Sequence, residues 1–263
     1  MRPTLKTVTA FRYLTPLREG GSLPAVVETN DGELYAMKFA GAGHGRKALI
    51  AELVAGEIGR ALGLRVPDIA FIELNPALGP SEPDQEIQDL LKASVGLNLG
   101  LRYLPQSLAF NPLLTPPPDP GLASAIVWFD AYVTNVDRTP RNPNILIWEN
   151  ELWLIDQGSS LYVHYDWRDY QAKSRTPFPP IKNHVLLPWA SELDHAEAVL
   201  KPRLTPAVIE EIVNLIPEIW LQGEPFFAST TEHRGAYATY LLNRLEASPL
   251  FVQEAKNARA QLL

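Results

Sequence analysis

The chain contains no cysteine, which excludes disulfide bonds, thiolate metal sites and a cysteine nucleophile. It also lacks any apolar run close to the roughly 20 residues that a membrane-spanning helix requires. Its first ten residues, MRPTLKTVTA, lack the apolar core of a signal peptide. Basic residues are fewer than acidic ones: the chain has 23 Lys and Arg and 30 Asp and Glu, which gives a net charge of -7. This balance argues against direct binding to nucleic acid or to a membrane, and we expect a cytoplasmic protein.

The first 105 residues have mainly the pattern of β-strands. Alternating or β-branched segments bounded by turn residues predict strands at 7–14, 25–29, 33–39, 68–74 and 94–103. Apolar residues at helical spacing predict one helix, at 47–63, between the third and fourth strands. In the third strand, Lys38 falls on the same face as Ala36, opposite Tyr35 and Met37.

The pattern changes after a proline-rich segment at 111–121, which holds five prolines. The residues beyond it predict, in order, an apolar helix at 122–136, a polar loop at 137–143, and two short strands at 144–148 and 152–155. From about residue 190 onward the pattern is helical.

The composition is that of a globular protein, with 46% hydrophobic and 20% charged residues. A length of 263 residues suffices for one large domain or for two lobes that share a cleft. From the strand-rich beginning and the helical end we predict an α+β, two-lobed fold. Residues 1–105 would form a small β-rich N-lobe with one helix, and residues 106–263 a mainly helical C-lobe.

Three polar residues around the predicted hairpin of the C-lobe form the main candidate site. Asp137 follows the helix, Asn144 begins the first strand, and Asp156 follows the second. Carboxylate and amide oxygens suit Mg²⁺, which usually takes its other ligands from water and substrate phosphates. A further carboxylate can orient an attacking hydroxyl, so the set indicates phosphoryl transfer from ATP. The alternative interpretation is that these residues only stabilise a loop and close a hairpin.

Lys38, in the segment YAMKF, is the candidate for contacting the ATP phosphates. A lysine in an otherwise apolar strand needs a charged partner if it is buried. Glu52 and Glu57 on the following helix are the candidate partners, and we favour Glu52 because it lies nearer the start of that helix. The alternative is an edge-strand lysine that faces water.

A small turn between the first two predicted strands contains Gly20, Gly21 and Ser22. Its backbone amides are candidates for cradling phosphates. The turn lacks the fuller G-x-G-x-x-G spacing, and a plain hairpin turn accounts for the same residues equally well.

The segments NVDRTPRNPNILIW and LIDQGSS resemble the catalytic and metal-binding segments of HipA-like kinases. The resemblance runs from about residue 38 to residue 160 and implies a bilobal fold related to protein kinases. It implies that Asp137 is the catalytic base and that Asp156 chelates magnesium, as the Asp of D-F-G does in protein kinases. For the amide ligand, the usual spacing points to Asn142, and the adjoining apolar strand points to Asn144, which we favour.

We therefore hypothesise an ATP- and magnesium-dependent phosphotransferase that acts on a protein Ser/Thr or on a small hydroxylated acceptor. One alternative is a non-catalytic nucleotide-binding sensor, because such loops commonly carry His where this chain has Thr139. Another is a small-molecule kinase of the aminoglycoside type, although those enzymes usually have a His-x-Asp loop where this chain has Asn135-Val136-Asp137.

Two charged residues near the loop have structural interpretations. Arg138 is expected to hold the loop by pairing with a carboxylate. Asp130, on the preceding helix, is expected either to bond the backbone of the loop or to face solvent. The five histidines lack metal-ligand spacing, and we interpret them as structural or surface residues.

Overall fold

The N-terminal part is a closed β-barrel of five strands. The structure, a computed structural model, describes residues 5–17, 24–81, 83–113 and 117–262. The strands are β1 (Thr7–Pro16), β2 (Ala25–Thr29), β3 (Leu34–Lys38), β4 (Ile69–Leu74) and β5 (Gly96–Arg102). They are ordered β1-β2-β3-β5-β4, and β4 closes the barrel by pairing in parallel with β1. The other neighbouring pairs are antiparallel.

The barrel interior follows the alternation of side chains along β3. Tyr35, Met37 and Phe39 belong to the cluster of buried apolar residues inside the barrel. Lys38 therefore points to the other side of the strand, toward the rest of the molecule. Gly100 of β5 is needed because an added Cβ would lie 2.3 Å from Ile72 Cδ1.

Two helices accompany the barrel, where the sequence predicted one. Helix α1 (Gly45–Ala61) corresponds to the predicted helix at 47–63, and its apolar residues pack into the larger core of the C-terminal part. Helix α2 (Gln85–Ala93) was not predicted. The Asp84 carboxylate caps α2 by accepting a hydrogen bond from the amide of Glu86.

The C-terminal part is mainly helical and carries a small three-stranded sheet. The sheet consists of β6 (Leu108–Ala109), β7 (Ile145–Trp148) and β8 (Glu151–Leu154), in that order. The helices are α3 (Pro120–Val133), α4 (Tyr170–Lys173), α5 (Leu193–Leu200), α6 (Pro206–Asn214), α7 (Glu218–Leu221), α8 (Thr230–Glu246) and α9 (Ser248–Ala260). This arrangement confirms the predicted α+β class, with a β-rich beginning and a helical end. Across the ranges given above, no helix combines the length and apolar character needed to cross a membrane.

Helix α3 delivers the chain to the candidate site. It lies in the large core, and its buried aromatic side chains include Trp128, Phe129 and Tyr132. The helix ends at Val133 because Thr134 adopts a left-handed conformation with φ of 56°. The predicted end at residue 136 was therefore three residues too late. The three residues from Thr134 to Val136 instead lead into the polar loop.

Candidate functional site

Lys38, Glu52 and Asp156 come together from three separate elements. Lys38 ends β3, Glu52 lies on α1, and Asp156 follows β8. The ammonium of Lys38 lies 2.5 Å from Glu52 Oε2 and also contacts Asp156 Oδ1. Lys38 is buried, so the edge-strand alternative is wrong. Glu57 pairs with Arg60 instead, at 3.3 Å.

The charges of this group depend on one another. Burial alone would lower the pKa of Lys38, but the carboxylates of Glu52 and Asp156 outweigh burial and raise it. The Lys38 ammonium in turn lowers the pKa of Asp156. Burial raises the pKa of Glu52, and the neighbouring Asp156 carboxylate adds to this effect, although the Lys38 ammonium opposes it. The site thus contains a charged lysine in contact with two carboxyl groups whose pKa values are shifted in opposite directions.

Asp137 lies in the polar loop with both candidate asparagines on its carboxylate. Asn142 Nδ2 donates a hydrogen bond to Asp137 Oδ2 at 2.8 Å, and Asn144 Nδ2 lies 3.5 Å from the same oxygen. The backbone amide of Asp137 donates to Asn135 Oδ1 at 3.0 Å. The loop therefore fixes the position of a partly exposed carboxylate.

The β7–β8 hairpin brings Asn144 and Asp156 to the same end. The amide of Ile155, the residue before Asp156, donates to the carbonyl of Asn144 at 3.0 Å. Asn144 and Asp156 both adopt left-handed backbone conformations, with φ of 50° and 55°. Asn and Asp adopt this region more readily than other residues that carry a Cβ. Asn142 lies outside the hairpin and is exposed.

A fully buried network supports the loop from behind. The guanidinium of Arg138 pairs with Asp130 of α3, with Nε 2.6 Å from Oδ2. It also donates to the carbonyl of Asn144 and, at 2.6 Å, to Gln157 Oε1. The expected pairing of Arg138 with a carboxylate is therefore present, and Asp130 does not face solvent. Arg138 connects α3, the loop and the segment of Asp156.

His184 completes this network, although sequence patterns indicated no more than a structural or surface role for it. The Leu186 amide donates to His184 Nδ1 at 3.0 Å, so Nε2 carries the proton and donates to Asp130 Oδ2 at 2.8 Å. Burial lowers the pKa of His184, which keeps the ring neutral. Burial also acts on Asp130, but Arg138 and His184 outweigh it and lower the pKa of that carboxyl.

A cleft of about 180 Å³ opens in front of these groups. Lys38, Asp137, Asp156 and Gly158 lie in its wall, and the exposed ring of Tyr162 borders it. The predicted phosphate-cradling turn of residues 20–22, with Gly20, Gly21 and Ser22, lies outside the described residues.

The described residues contain no group of three or more His, Asp and Glu side chains arranged to hold a metal. A cation at this site would have one protein carboxylate, Asp156, together with an asparagine amide. Such a donor set is consistent with Mg²⁺, which binds through one or two protein ligands and takes oxygens from water and phosphates.

Comparison with known proteins identifies the family. The family model described as HipA-like kinase matches residues 12–253. No curated protein matched the sequence. Among solved structures, a Helicobacter pylori proinflammatory kinase, CtkA, is similar with a TM-score of 0.54 and 14% identity, covering 98% of this chain and 99% of that one. The Golgi casein kinase with Mn/ADP bound is similar with a TM-score of 0.50 and 11% identity, covering 98% and 74%. At these identities the structures show a shared kinase fold, and the family match shows that the chain belongs to the HipA-like kinases and is a phosphotransferase.

Proposed function

We propose that this protein transfers the terminal phosphoryl group of ATP, with Mg²⁺, to the hydroxyl of a protein Ser/Thr or a small molecule. The observation that carries the proposal is the buried contact of Lys38 with both Glu52 and Asp156. A strand lysine held by a helix glutamate beside a metal-binding aspartate is the arrangement that positions ATP phosphates in protein kinases. The Mn/ADP found in the Golgi casein kinase structure, which shares the fold, supports nucleotide and metal use here.

Each of the two lobes would supply some of the functional residues around the cleft. We assign residues 1–105 to an N-lobe, which holds Lys38 and Glu52, and residues 106–263 to a C-lobe, which holds Asp137, Asn144 and Asp156. In this proposal the backbone amides of Gly20, Gly21 and Ser22 are the candidates for cradling the phosphates. The cleft fits this division, because residues of both ranges, Lys38 and Asp137 among them, line it.

Asp156 and Asn144 are the residues proposed to hold Mg²⁺. Asp156 is partly exposed toward the cleft, and its pKa is lowered by Lys38, so it is ionised at neutral pH. The Asn144 side chain directs Nδ2 toward Asp137, and within the described ranges its Oδ1 accepts no hydrogen bond. We favour Asn144 over Asn142 because its carbonyl is hydrogen-bonded to the residue that precedes Asp156. The bound cation would neutralise charge on the phosphates.

Asp137 is proposed to orient the acceptor hydroxyl and to accept its proton. Its carboxylate is partly exposed in the cleft wall, and the hydrogen bonds from Asn142 and Asn144 fix its direction. Lys38 would contact the transferred phosphates once its bond to Asp156 is released. General-base groups of this kind contribute about 10²–10⁴-fold to rates.

Labelled ATP, Mg²⁺ and candidate acceptors test the proposal directly. Asp137→Asn should lower transfer by about 10²–10⁴-fold while ATP affinity, measured by calorimetry, stays within a few-fold of the parent. Asp89→Asn makes the same charge change on the exposed surface of α2 and should leave both quantities unchanged. Full activity in Asp137→Asn would rule out the assignment of the base.

A second function, nucleotide sensing without transfer, follows if Lys38 keeps its contacts to both Glu52 and Asp156 when nucleotide is bound. A protein that kept this pairing would bind nucleotide only weakly through Lys38 and would neither hydrolyse ATP nor transfer its phosphoryl group. ATP binding combined with absence of both autophosphorylation and ATP turnover, in the presence of Mg²⁺, would support the sensor and exclude transfer.

A further inference from the structure

A second cavity lies away from the residues proposed for phosphoryl transfer. Its volume is about 300 Å³, and neither Lys38, Asp137 nor Asp156 contributes to its wall. The wall comes from three segments: the end of α1 with the loop that follows it, the end of β5, and the β7–β8 hairpin. The residues that matter for its chemistry are Arg60, Arg65, Arg102, Leu104, Trp148 and Trp153. We call it the arginine–tryptophan cavity.

Hydrogen bonds between the three segments preform the cavity. The Leu154 amide of β8 donates to the Arg65 carbonyl at 2.8 Å, and the Arg102 amide of β5 donates to the Asp68 carbonyl at 2.7 Å. Trp148 Nε1 donates to the Pro105 carbonyl at 3.0 Å. A ligand would therefore enter a site whose backbone is already fixed, which reduces the entropy lost on binding.

The wall of the arginine–tryptophan cavity carries three arginines and one carboxylate, Asp68, which pairs with Arg60 at 2.7 Å and leaves Arg65 and Arg102 as the candidate anion contacts. Arg65 pairs with Glu151 at 2.8 Å and is 49% exposed. Arg102 pairs with Glu33 at 3.2 Å and is 50% exposed. Exposed pairs of this kind are weak, and neither glutamate lies in the cavity wall. An anion in the cavity can therefore compete for both guanidinium groups.

The floor of the cavity is aromatic and apolar. The rings of Trp148 and Trp153 meet edge to face, with centroids 5.3 Å apart. The Arg65 guanidinium lies 6.0 Å from the centre of the Trp153 ring. Leu104 and Val66 add apolar surface. Flat rings pack well against tryptophan and guanidinium planes, and a volume of this size fits small molecules.

We propose that the arginine–tryptophan cavity is a binding site for a small aromatic anion, with its ring against Trp148 and Trp153 and its carboxylate or phosphate between Arg65 and Arg102. The site is separate from the proposed ATP cleft, and the proposal does not depend on phosphoryl transfer. Because the ligand would contact both β5 and the β7–β8 hairpin, its binding should raise the melting temperature of the whole chain.

Titration of the full chain with 2-naphthoate, followed by tryptophan fluorescence and by thermal melting, tests the charge requirement. The probe should quench fluorescence, saturate below about 1 mM and raise the melting temperature. The uncharged 2-naphthamide should bind at least tenfold more weakly. Equal binding of the two compounds, or no saturation by naphthoate, would overturn the proposal.

Variants locate the probe. Arg65→Ala should weaken naphthoate binding about tenfold, because one charge-assisted contact is lost. Arg175→Ala is the matched control, since Arg175 is also 49% exposed and pairs with Glu246 at 2.8 Å. Glu151→Gln removes the carboxylate that competes for Arg65 and should tighten binding, which a general loss of folding would not do. Equal affinity in Arg65→Ala and Arg175→Ala, or no tightening in Glu151→Gln, contradicts the proposal.

Addition of Mg²⁺ and ATP separates the two sites. Naphthoate affinity should stay unchanged at saturating nucleotide, because Lys38 and Asp156 are absent from the wall of the arginine–tryptophan cavity. Displacement of naphthoate by ATP would assign the probe to the cleft and refute the second site.

Discussion

Replacement of Arg138 and Asp130, singly and together, measures how strongly the buried network holds the loop of Asp137. Both side chains are fully buried, and their ion pair spans 2.6 Å. Arg138→Met leaves the Asp130 carboxylate buried, with Asn135 and His184 as its remaining partners among the described residues. Asp130→Leu leaves the guanidinium bonded to backbone carbonyls but without its counter-charge.

The expected magnitudes follow from this burial. Removing one member of a buried pair leaves an uncompensated charge and costs about 3–5 kcal/mol. The double variant removes both charges and replaces them with apolar side chains, so its loss should be smaller than the sum of the two single losses by about 2 kcal/mol or more. The exposed pair Arg175–Glu246, carried through the same cycle, should show a coupling below about 1 kcal/mol.

Urea unfolding at neutral pH, followed by tryptophan fluorescence, gives the free energy of unfolding for each variant. Losses for Arg138→Met and Asp130→Leu that add to within about 0.5 kcal/mol in the double variant would refute the reasoning. The double variant should also be folded yet slow in phosphoryl transfer, because Arg138 no longer joins the carbonyl of Asn144 to Gln157.

Two further outcomes are expected. Lys38→Met should abolish transfer and lower stability by about 3–5 kcal/mol, because Glu52 and Asp156 are left as adjacent carboxylates. Adding Glu52→Gln to this variant should recover part of the stability, measured by urea unfolding, but none of the transfer. Burial lowers the pKa of His164 from 6.5 to about 3, so the unfolded chain takes up the proton first, and stability falls as pH drops below 6.5. His164→Phe should reduce the loss of unfolding free energy between pH 6.5 and 5 by about 2 kcal/mol. The control variant His195→Gln, at an exposed position, should lose as much as the parent. An equal dependence of unfolding free energy on pH in the parent and both variants would contradict this.

Local patterns along the chain predicted much of the N-terminal part. The alternation in β3 placed Tyr35 and Met37 on one face of the strand and Lys38 on the other, and the structure agrees. Helix α2 was missed because its first residues fall within the stretch at 75–86, NPALGPSEPDQE, whose Pro, Gly and acidic residues are typical of an exposed loop. The signals for it were present, since Asp84 caps the helix and Ile87 and Leu91 bury one face.

Contacts between distant segments were beyond the reach of sequence patterns. His184 lies 54 residues after Asp130, and neither local spacing nor composition predicts their hydrogen bond. Sequence patterns indicated no role for Gln157, the residue after Asp156. The structure gives it a role, since it is fully buried and accepts a hydrogen bond from Arg138. Polar residues in such networks look like ordinary loop or surface residues until their partners are known.

Asn144 has two interpretations, as a loop-stabilising residue and as a metal ligand, and both are compatible with its residue type. Its φ of 50° lies in the left-handed region, where an asparagine is tolerated for backbone reasons alone, and its amide is also a suitable ligand for Mg²⁺. Asn144→Gly separates them, because glycine adopts this backbone freely but has no amide side chain. The variant should unfold within about 1 kcal/mol of the parent and lose Mg²⁺-dependent transfer, with Asn142→Gly retaining it. Loss of transfer in Asn142→Gly alone would move the ligand to Asn142, and loss in neither would leave Asn144 with the backbone role only.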